Sequence, residues 1–566
     1  MTEYVADFET CKYNNKQRVW LWALRIVSEK LNEKTEIGTN IKSFFKCITT
    51  LKQKRFVVFF HNLRFDASYI LDYLLKNGFV YADTMPQQLK EKELTVNSTT
   101  DGEIYEVAVN VNGKIVRFKD SLKLFNASEQ ALAISYKLPI KKGEIDYCKP
   151  RGEEYKPTKE EIDYIKNDVN IIANILYHFR ADGYQGYTAS SSAFNEFLKM
   201  AFPRNTIKNS LKAFKEKHKI TLEDDMKLRH AYLGGYCYLN PKYKGKVIED
   251  GIVLDVNSMY PYIMKTQLMP YGQPMYKEGK PYVTGKYNLF ITHIQIDASI
   301  KKNCLPVISN RKLYLTEYGS NEYITNTNGA VDIYVTNIDL DLIYKNYNIN
   351  YINYVESWSF KSQEGGFFGE YIDRFYSMKQ KARQEHNEVK AQNAKIFLNG
   401  LYGKFGTNPL LMNTKPEVKD DVVRFSKVLH KAQEPLYVPL SIFITSHARK
   451  HLLSAIEANY ERFVYCDTDS IHLIGKNVPN GIKIHETELG AWKIENKFKK
   501  AKYLNLKQYI DEDYSGNLTI RCAGLSTKSQ KLITFENFNA GATFTTLSSK
   551  RCDGGIELIN RQFCIK

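Results

Sequence analysis

The order of apolar and polar positions predicts a chain of alternating strands and helices. Tyr4-Val5-Ala6-Asp7-Phe8-Glu9-Thr10 alternates with a period of two and predicts a strand with Asp7 and Glu9 on one face. Phe56-Val57-Val58-Phe59-Phe60 reads as a buried strand that runs through His61-Asn62-Leu63-Arg64-Phe65-Asp66 into a helix. Asp66 then falls at the strand-to-helix turn, where an N-cap is the bland alternative. Thr158-Lys159-Glu160-Glu161 is a capping box for a helix reaching Phe179, with Ile162, Ile165, Val169, Ile172 and Leu176 as its inward stripe. Tyr164 and Asp168, four apart, share another face of it.

Beyond about residue 190 the pattern turns helical and basic, interrupted by Tyr232-Leu233-Gly234-Gly235-Tyr236. Its paired glycines allow close backbone approach, and Tyr232 offers a stacking surface. Gly251-Ile252-Val253-Leu254-Asp255 is a strand ending in a carboxylate, and Val256-Asn257-Ser258-Met259-Tyr260-Pro261 turns into a helix. Residues 268–365 are rich in Tyr and Asn, with strand-like runs such as Val331–Val335. A basic helical pair follows from Phe367 to Lys404, and there Lys395, Asn399 and Tyr402 fall at i, i+4 and i+7, one helix face. Residues 407–434 are polar and loop-rich, and Thr445-Ser446-His447-Ala448-Arg449 opens another helix. Arg462-Phe463-Val464 and Ile471-His472-Leu473-Ile474 flank Tyr465-Cys466-Asp467-Thr468-Asp469-Ser470 as the arms of a hairpin. Period-two alternation points Asp467 and Asp469 the same way. The last thirty or so residues are strand-like around a Gly554-Gly555 turn.

At 566 residues the chain has room for roughly three to five domains. A net charge of +17 suits a polyanionic partner, although many soluble proteins are also basic. The nine cysteines are scattered and none forms a Cys-x-x-Cys pair, which argues against zinc and a disulfide framework and for a reducing compartment. No apolar run reaches a membrane span and no signal peptide opens the chain, so no membrane partner is expected.

Two like charges as close as Asp467 and Asp469 need a cation, and hard oxygen ligands suit Mg²⁺. A bare Asp-x-Asp is also met as a solvated turn; the hexapeptide with its apolar flanks is more specific. Asp255 is the third acid. Separately, Asp7, Glu9, Asp66, Asp168 and the Tyr164 phenol are the parts of a two-metal phosphodiesterase.

Both sets resemble the family B DNA polymerases, and the resemblance covers nearly the whole chain. It is strongest to the protein-primed members of small tailed bacteriophages, the phi-twenty-nine type. It implies an α/β multidomain fold: an RNase H-like exonuclease domain, then a right-hand polymerase of palm, fingers and thumb with two insertions. The implied boundaries are 1–190 for the 3′–5′ exonuclease, 191–267 and 435–533 for the palm, and 366–405 for the fingers. The insertions take 268–365 (the terminal-protein region) and 406–434, a β-hairpin in that group, and the thumb takes 534–566.

The resemblance also assigns roles. Asp255, Val256, Asp467 and Asp469 form one metal site, and Asp7, Glu9, Asp66 and Asp168 the other, each with two Mg²⁺ that Mn²⁺ can replace. Tyr164 orients the attacking water, and Lys142, in Lys142-Gly143-Glu144-Ile145, lies near the scissile phosphate. Thr10, Asn62, Phe65, Ser121 and Leu122 hold the single-stranded 3′ end. Tyr232, Gly234 and Gly235 match a YxGG motif, and Lys507 and Tyr509 a KxY motif beside the primer end. Tyr260 excludes a 2′-hydroxyl, while Lys379, Arg383, Lys395 and Asn399 hold the dNTP. Tyr402, Gly403 and Arg449 meet template or primer; Gly400 stands where the family has serine. Partners would be template and primer DNA and a terminal protein, contacted through Asp339 unless that acid is merely solvated. The expected activity is processive, strand-displacing synthesis in the cytoplasm of an infected bacterium. Two rivals remain, a nuclease-only repair enzyme and a non-catalytic replication scaffold; the intact acids of both sets argue against each.

Overall fold

The computed structural model describes residues 1–566 apart from 15, 31–32, 100–101, 140–144, 147–148, 150, 311–322, 364–367, 411, 430–431 and 566. Its N-terminal sheet has eight strands, ordered in space Thr35–Gly38, Lys16–Ile26, Thr2–Tyr13, Arg55–Phe60, Lys114–Asp120, Ile104–Val111, Glu93–Ser98 and Val80–Tyr81. The first three are antiparallel, and Arg55–Phe60 joins its two neighbours in parallel. The unbroken run 56–60 has a direct cause. Phe56, Val58 and Phe60 face a core shared with helix Leu63–Lys76, while Val57 and Phe59 face the core of helix Lys159–Ala181. A strand covered on both faces reads as continuous apolar sequence. The Thr158/Glu161 capping box opens the second helix, and Ile165, Val169, Ile172 and Leu176 are buried along it, Ile162 only half so.

A second sheet of seven antiparallel strands runs Leu518–Cys522, Gln508–Asp513, Trp492–Asn505, Val247–Val256, Ser470–Ile474, Phe463–Asp467 and Cys237–Leu239. Val247–Val256 lies inside it and sets Asp255 opposite Ser470. Helix Pro439–Glu457 is buried along most of its length.

Between the halves of this sheet in sequence lie three additions. A four-stranded sheet spans Met269–Gln363 and carries helix Asn337–Asn346. Helices Gly369–Gln384 and Glu388–Gly400 form the expected pair. Residues 407–434, legible only as polar and loop-rich, hold a hairpin of Met412–Lys419 and Val422–Leu429. The chain ends in a hairpin, Thr543–Cys552 and Gly555–Cys564.

That terminal hairpin is docked on the N-terminal domain. Tyr69 Oη donates to the Ile556 carbonyl at 2.8 Å, and Asp553 pairs with Lys16 and Lys76 at 2.9 and 2.7 Å. Gly554, at φ +84°, is so close that a Cβ there would lie 2.0 Å from the Gln17 carbonyl oxygen. Among the described residues, no helix is long and apolar enough to cross a membrane.

Candidate active sites

The first acid cluster sits where the N-terminal sheet meets helix Lys159–Ala181. Asp7 and Glu9 alternate inward on the first strand, and Tyr164 and Asp168 descend from the helix above. Carboxylate oxygens of Asp7, Glu9 and Asp168 lie within 4.8 Å of one another. Asp66 enters from the first turn of helix Leu63–Lys76, buried rather than capping. Burial, then the charges of Asp66, Glu9, Glu129 and Asp168, push the Asp7 carboxyl well above the usual range. Asp66 is raised by burial and by Asp120, Glu9 and Glu129. Carboxylates driven up by one another fit divalent cations, whose charge removes that repulsion.

These acids line a cavity of about 980 Å³ together with Thr10, Asn62, Phe65 and Leu122. Ser121 is held just outside, its Oγ 3.0 Å from His61 Nδ1. Lys142 lies outside the described residues. Glu129 was not legible as a site residue: it is the first residue of the short helix Glu129–Ser135, an ordinary place for an acid.

Asp120 was also missed. It is 2% exposed, and its Oδ1 accepts the backbone N–H groups of Asn62 at 3.0 Å and Leu122 at 2.9 Å. One carboxylate oxygen thus ties together the two loops expected to hold the DNA end, and it braces Asn62 at φ +79°, a left-handed conformation. Asp120→Ala is expected to cost about 2–3 kcal/mol in urea denaturation, because both N–H groups lose a charged acceptor. Asp120→Asn keeps an acceptor oxygen and should cost less.

The second cluster forms at the hairpin of Phe463–Asp467 and Ser470–Ile474. Alternation along one strand does not align its acids: Asp467 pairs with Ser470, which puts Thr468, at φ +62°, and Asp469 in the two-residue turn. Asp469 is carried toward Asp255, and its carbonyl accepts the Val256 N–H at 2.9 Å. Burial and the Asp469 charge push Asp255 up to about 7, and burial and Asp467 push Asp469 up to about 6. Glu495, which no motif marks, raises both, while Lys493, 3.8 Å from Asp255, lowers them. Asp255 and Asp469 therefore suit divalent cations. The Val256 side chain is buried and apolar, so only its backbone carbonyl could join them.

Lys507 Nζ lies 2.9 and 2.7 Å from the Asp467 carboxylate oxygens, and its backbone N–H donates to Tyr465 Oη at 3.0 Å. Tyr509 packs on the Tyr465 and Tyr503 rings. Gly234, Gly235, Asp467 and Lys507 line one cavity of about 330 Å³. Gly235 has the close approach its sequence suggests, since a Cβ there would lie 2.7 Å from Thr468.

The helical pair brings cations to the same place. Lys379 is pushed down to about 8, by burial first and then by Arg383, Lys395 and Lys493. Tyr260 and Tyr402 stack at 4.1 Å and 22°. Lys395 and Asn399 lie in helix Glu388–Gly400 and Tyr402 opens the short helix Tyr402–Phe405; Leu401 between them keeps helical dihedrals, φ −77° and ψ −48°. Gly400 has a packing reason, because a Cβ there would lie 3.0 Å from the Ala189 carbonyl oxygen. Gly403 is open to its surroundings, with nothing within 4 Å of a Cβ. Tyr232 packs under Gly406.

Arg449 corrects the sequence reading. It is 3% exposed, and its guanidinium is taken up by protein groups. Its Nη2 donates to Asp339 at 2.8 and 2.9 Å, and its Nη1 to the carbonyls of Leu233 at 2.7 Å and Gly234 at 3.0 Å. Asp339, read as solvated or as a partner contact, is buried by this bidentate pair and by Ser446 Oγ at 2.9 Å. The pair fixes the glycine segment to the four-stranded insertion. Arg449→Ala should destabilise the protein by about 3–5 kcal/mol in urea denaturation, since it takes the guanidinium away from a buried carboxylate.

Comparison with known proteins matches residues 47–155 and 145–488 to the family described as DNA polymerase type B, organellar and viral. The DNA polymerase of Bacillus phage phi29 is 34% identical over 100% of this chain and 99% of its own length. Among solved structures, phi29 DNA polymerase complexed with primer-template DNA and incoming nucleotide substrates aligns over 100% of both chains, with a TM-score of 0.90 and 31% identity. The same polymerase complexed with single-stranded DNA aligns over 100% of both chains, with a TM-score of 0.88.

Proposed function

We propose, for a chain that belongs to the organellar and viral type B DNA polymerases and is a DNA-directed DNA polymerase, a protein-primed replicative enzyme with a separate 3′–5′ exonuclease. The observation that carries this reading is the pair of acid clusters, one on each large sheet of a single chain. When bound, Mg²⁺ at either cluster would activate the attacking oxygen and neutralise the leaving one.

The residues of the chain do the rest. At the polymerase cluster Asp255, Asp469 and the Val256 carbonyl hold the cations, and Lys507 keeps Asp467 in place. Lys379, Arg383 and Lys395 attract a triphosphate, because their own repulsion is relieved by it. Asn399 bonds the nucleotide, and the Tyr260 ring, fixed by its stack on Tyr402, leaves no room for a 2′-hydroxyl. Arg449 serves from behind by holding the Leu233 and Gly234 carbonyls.

At the exonuclease cluster Asp7, Glu9, Asp66 and Asp168 hold the cations and Tyr164 orients the water. Thr10, Asn62, Phe65, Ser121 and Leu122 grip a single-stranded end. The insertion sheet and the Met412–Leu429 hairpin support docking of a terminal protein whose hydroxyl primes synthesis, and support processive strand displacement. The enzyme would act in the cytoplasm of an infected bacterium. Purified protein with Mg²⁺ and a labelled primer on a longer template tests the reading: extension with dNTPs and shortening without them are expected. Shortening alone would leave a nuclease. Transfer of a labelled nucleotide to a purified terminal protein tests the priming.

A further inference from the structure

The acids of the second cluster already face a cation that the chain itself supplies. Lys493, on strand Trp492–Asn505, lies directly across from Asp255 on strand Val247–Val256. Its Nζ stands 3.8 Å from an Asp255 carboxylate oxygen and 3.2 Å from Glu495, two residues further along its own strand. Among the described residues no other basic group pairs with Asp255. The Lys493 charge lowers the pKa of Asp255 and of Asp469, which burial and neighbouring carboxylates raise. It reaches Lys379 as well, which is pushed down by burial and then by Arg383, Lys395 and Lys493. One ammonium is therefore felt both by the acids and by the cations assigned to a triphosphate.

A divalent cation taken up by Asp255 and Asp469 arrives beside a charge of its own sign, so the two compete for the same carboxylate. The lysine has a second place to go. The Glu495 side chain is 46% exposed where that of Asp255 is 23% exposed. A lysine that lets go of Asp255 thus keeps an acidic partner nearer solvent, and its flexible four-carbon stem allows the exchange.

We propose that Lys493 is a resident counter-ion of the polymerase metal site. It neutralises Asp255 before a metal binds, competes with the arriving cation, and passes to Glu495 when that cation enters. The acids are thus kept together without a metal, and metal binding is weaker for it. Lys493 acts on the reaction only through Asp255 and is a positioning residue. An ion pair that merely braces two strands predicts the opposite sign, because its loss would loosen the acids and weaken metal binding. The proposal rests on the reading of Asp255 and Asp469 as holders of divalent cations.

The test is titration of the full chain with Mn²⁺, followed by electron paramagnetic resonance, in proteins that carry Asp7→Ala to weaken the exonuclease cluster. The binding lost on adding Asp469→Ala defines the polymerase site. Lys493→Met, which keeps the stem without the charge, should tighten Mn²⁺ binding there by about threefold to tenfold, an effect limited by the partial exposure of the ammonium. Lys493→Gln, a second neutral variant, should do the same, and melting curves in EDTA check that each is folded. Lys493→Arg keeps the charge and should stay within about twofold of the parent protein. In the neutral variants, half-maximal nucleotide incorporation should fall at a lower Mg²⁺ concentration. Unchanged or weaker Mn²⁺ binding in a folded neutral variant overturns the proposal and leaves Lys493 a brace of the sheet. Equal tightening by Lys493→Arg overturns it too, since the charge would then not be what competes. Without any Mn²⁺ binding that Asp469→Ala removes, the metal-site reading itself fails and takes the counter-ion role with it.

Discussion

Asp469→Ala abolishes primer extension, by roughly three orders of magnitude or more in rate, and leaves shortening of single-stranded ends intact. The loss is large because Asp469 is one of two carboxylates that face each other at the hairpin, and neither Asp467 nor Glu495 can take its place. Asp467 is held by Lys507, and Lys493 lies 3.2 Å from Glu495. Single-nucleotide incorporation by rapid quench, with degradation of the same labelled strand measured without dNTPs, checks both halves. Equal loss of both activities would mean that the substitution disturbs the fold rather than one site.

The same variant should melt higher than the wild type in EDTA at pH 8. Asp255 and Asp469 sit at about 7 and about 6 without a cation, above their unfolded values of about 3.9. A carboxyl with a raised folded pKa binds its proton more tightly in the folded state, so stability falls as pH rises from about 4 to about 7. Removing one member of the pair relieves the other, for a gain of about 1 kcal/mol at pH 8. Mg²⁺ binds the deprotonated pair, so its stabilisation of the wild type should grow between pH 5.5 and 8 and be smaller in the variant.

Local strings carried most of this. Asp7 and Glu9 lie on a strand whose period shows in the sequence, Asp255 ends an apolar run, and Asp168 lies on a helix with a visible capping box. The hairpin acids were found for a partly wrong reason: Thr468 turns the chain at φ +62°, and alternation cannot reveal a turn residue that points inward. Arg449 and Asp339 were misread because they explain each other across 110 residues, and nothing local marks either as buried. Asp120 ends a strand, and its value lies in two N–H groups from different loops. Glu129 has no pattern at all; only the packing of its short helix brings it to the acids. The first arm of the hairpin, Met412–Lys419, is too polar to show a strand period, and without it the apolar second arm, Val422–Leu429, has no visible partner.

Asp7→Ala should remove degradation of a single-stranded 3′ end by roughly three orders of magnitude and leave extension of a paired primer near the wild-type rate. Asp7 is central to its cluster: its carboxylate meets those of Glu9 and Asp168 within 4.8 Å, and it also feels Asp66 and Glu129. Loss of Asp7 thus damages every arrangement of cations the cluster could hold. Loss of Asp66 leaves the Asp7, Glu9 and Asp168 group intact, so Asp66→Ala should keep tight binding of one Mn²⁺ where Asp7→Ala weakens it. Titration with Mn²⁺ followed by electron paramagnetic resonance separates the two, without reference to turnover, in proteins that also carry Asp469→Ala. A mispaired primer gives the functional consequence: the wild type should remove the mismatch before extending, and Asp7→Ala should stall on it or extend it unrepaired. Trimming at the wild-type rate by Asp7→Ala would place the nuclease chemistry elsewhere in the chain. It would also leave the buried acids of the first sheet without a function, although their mutual repulsion makes them costly to keep.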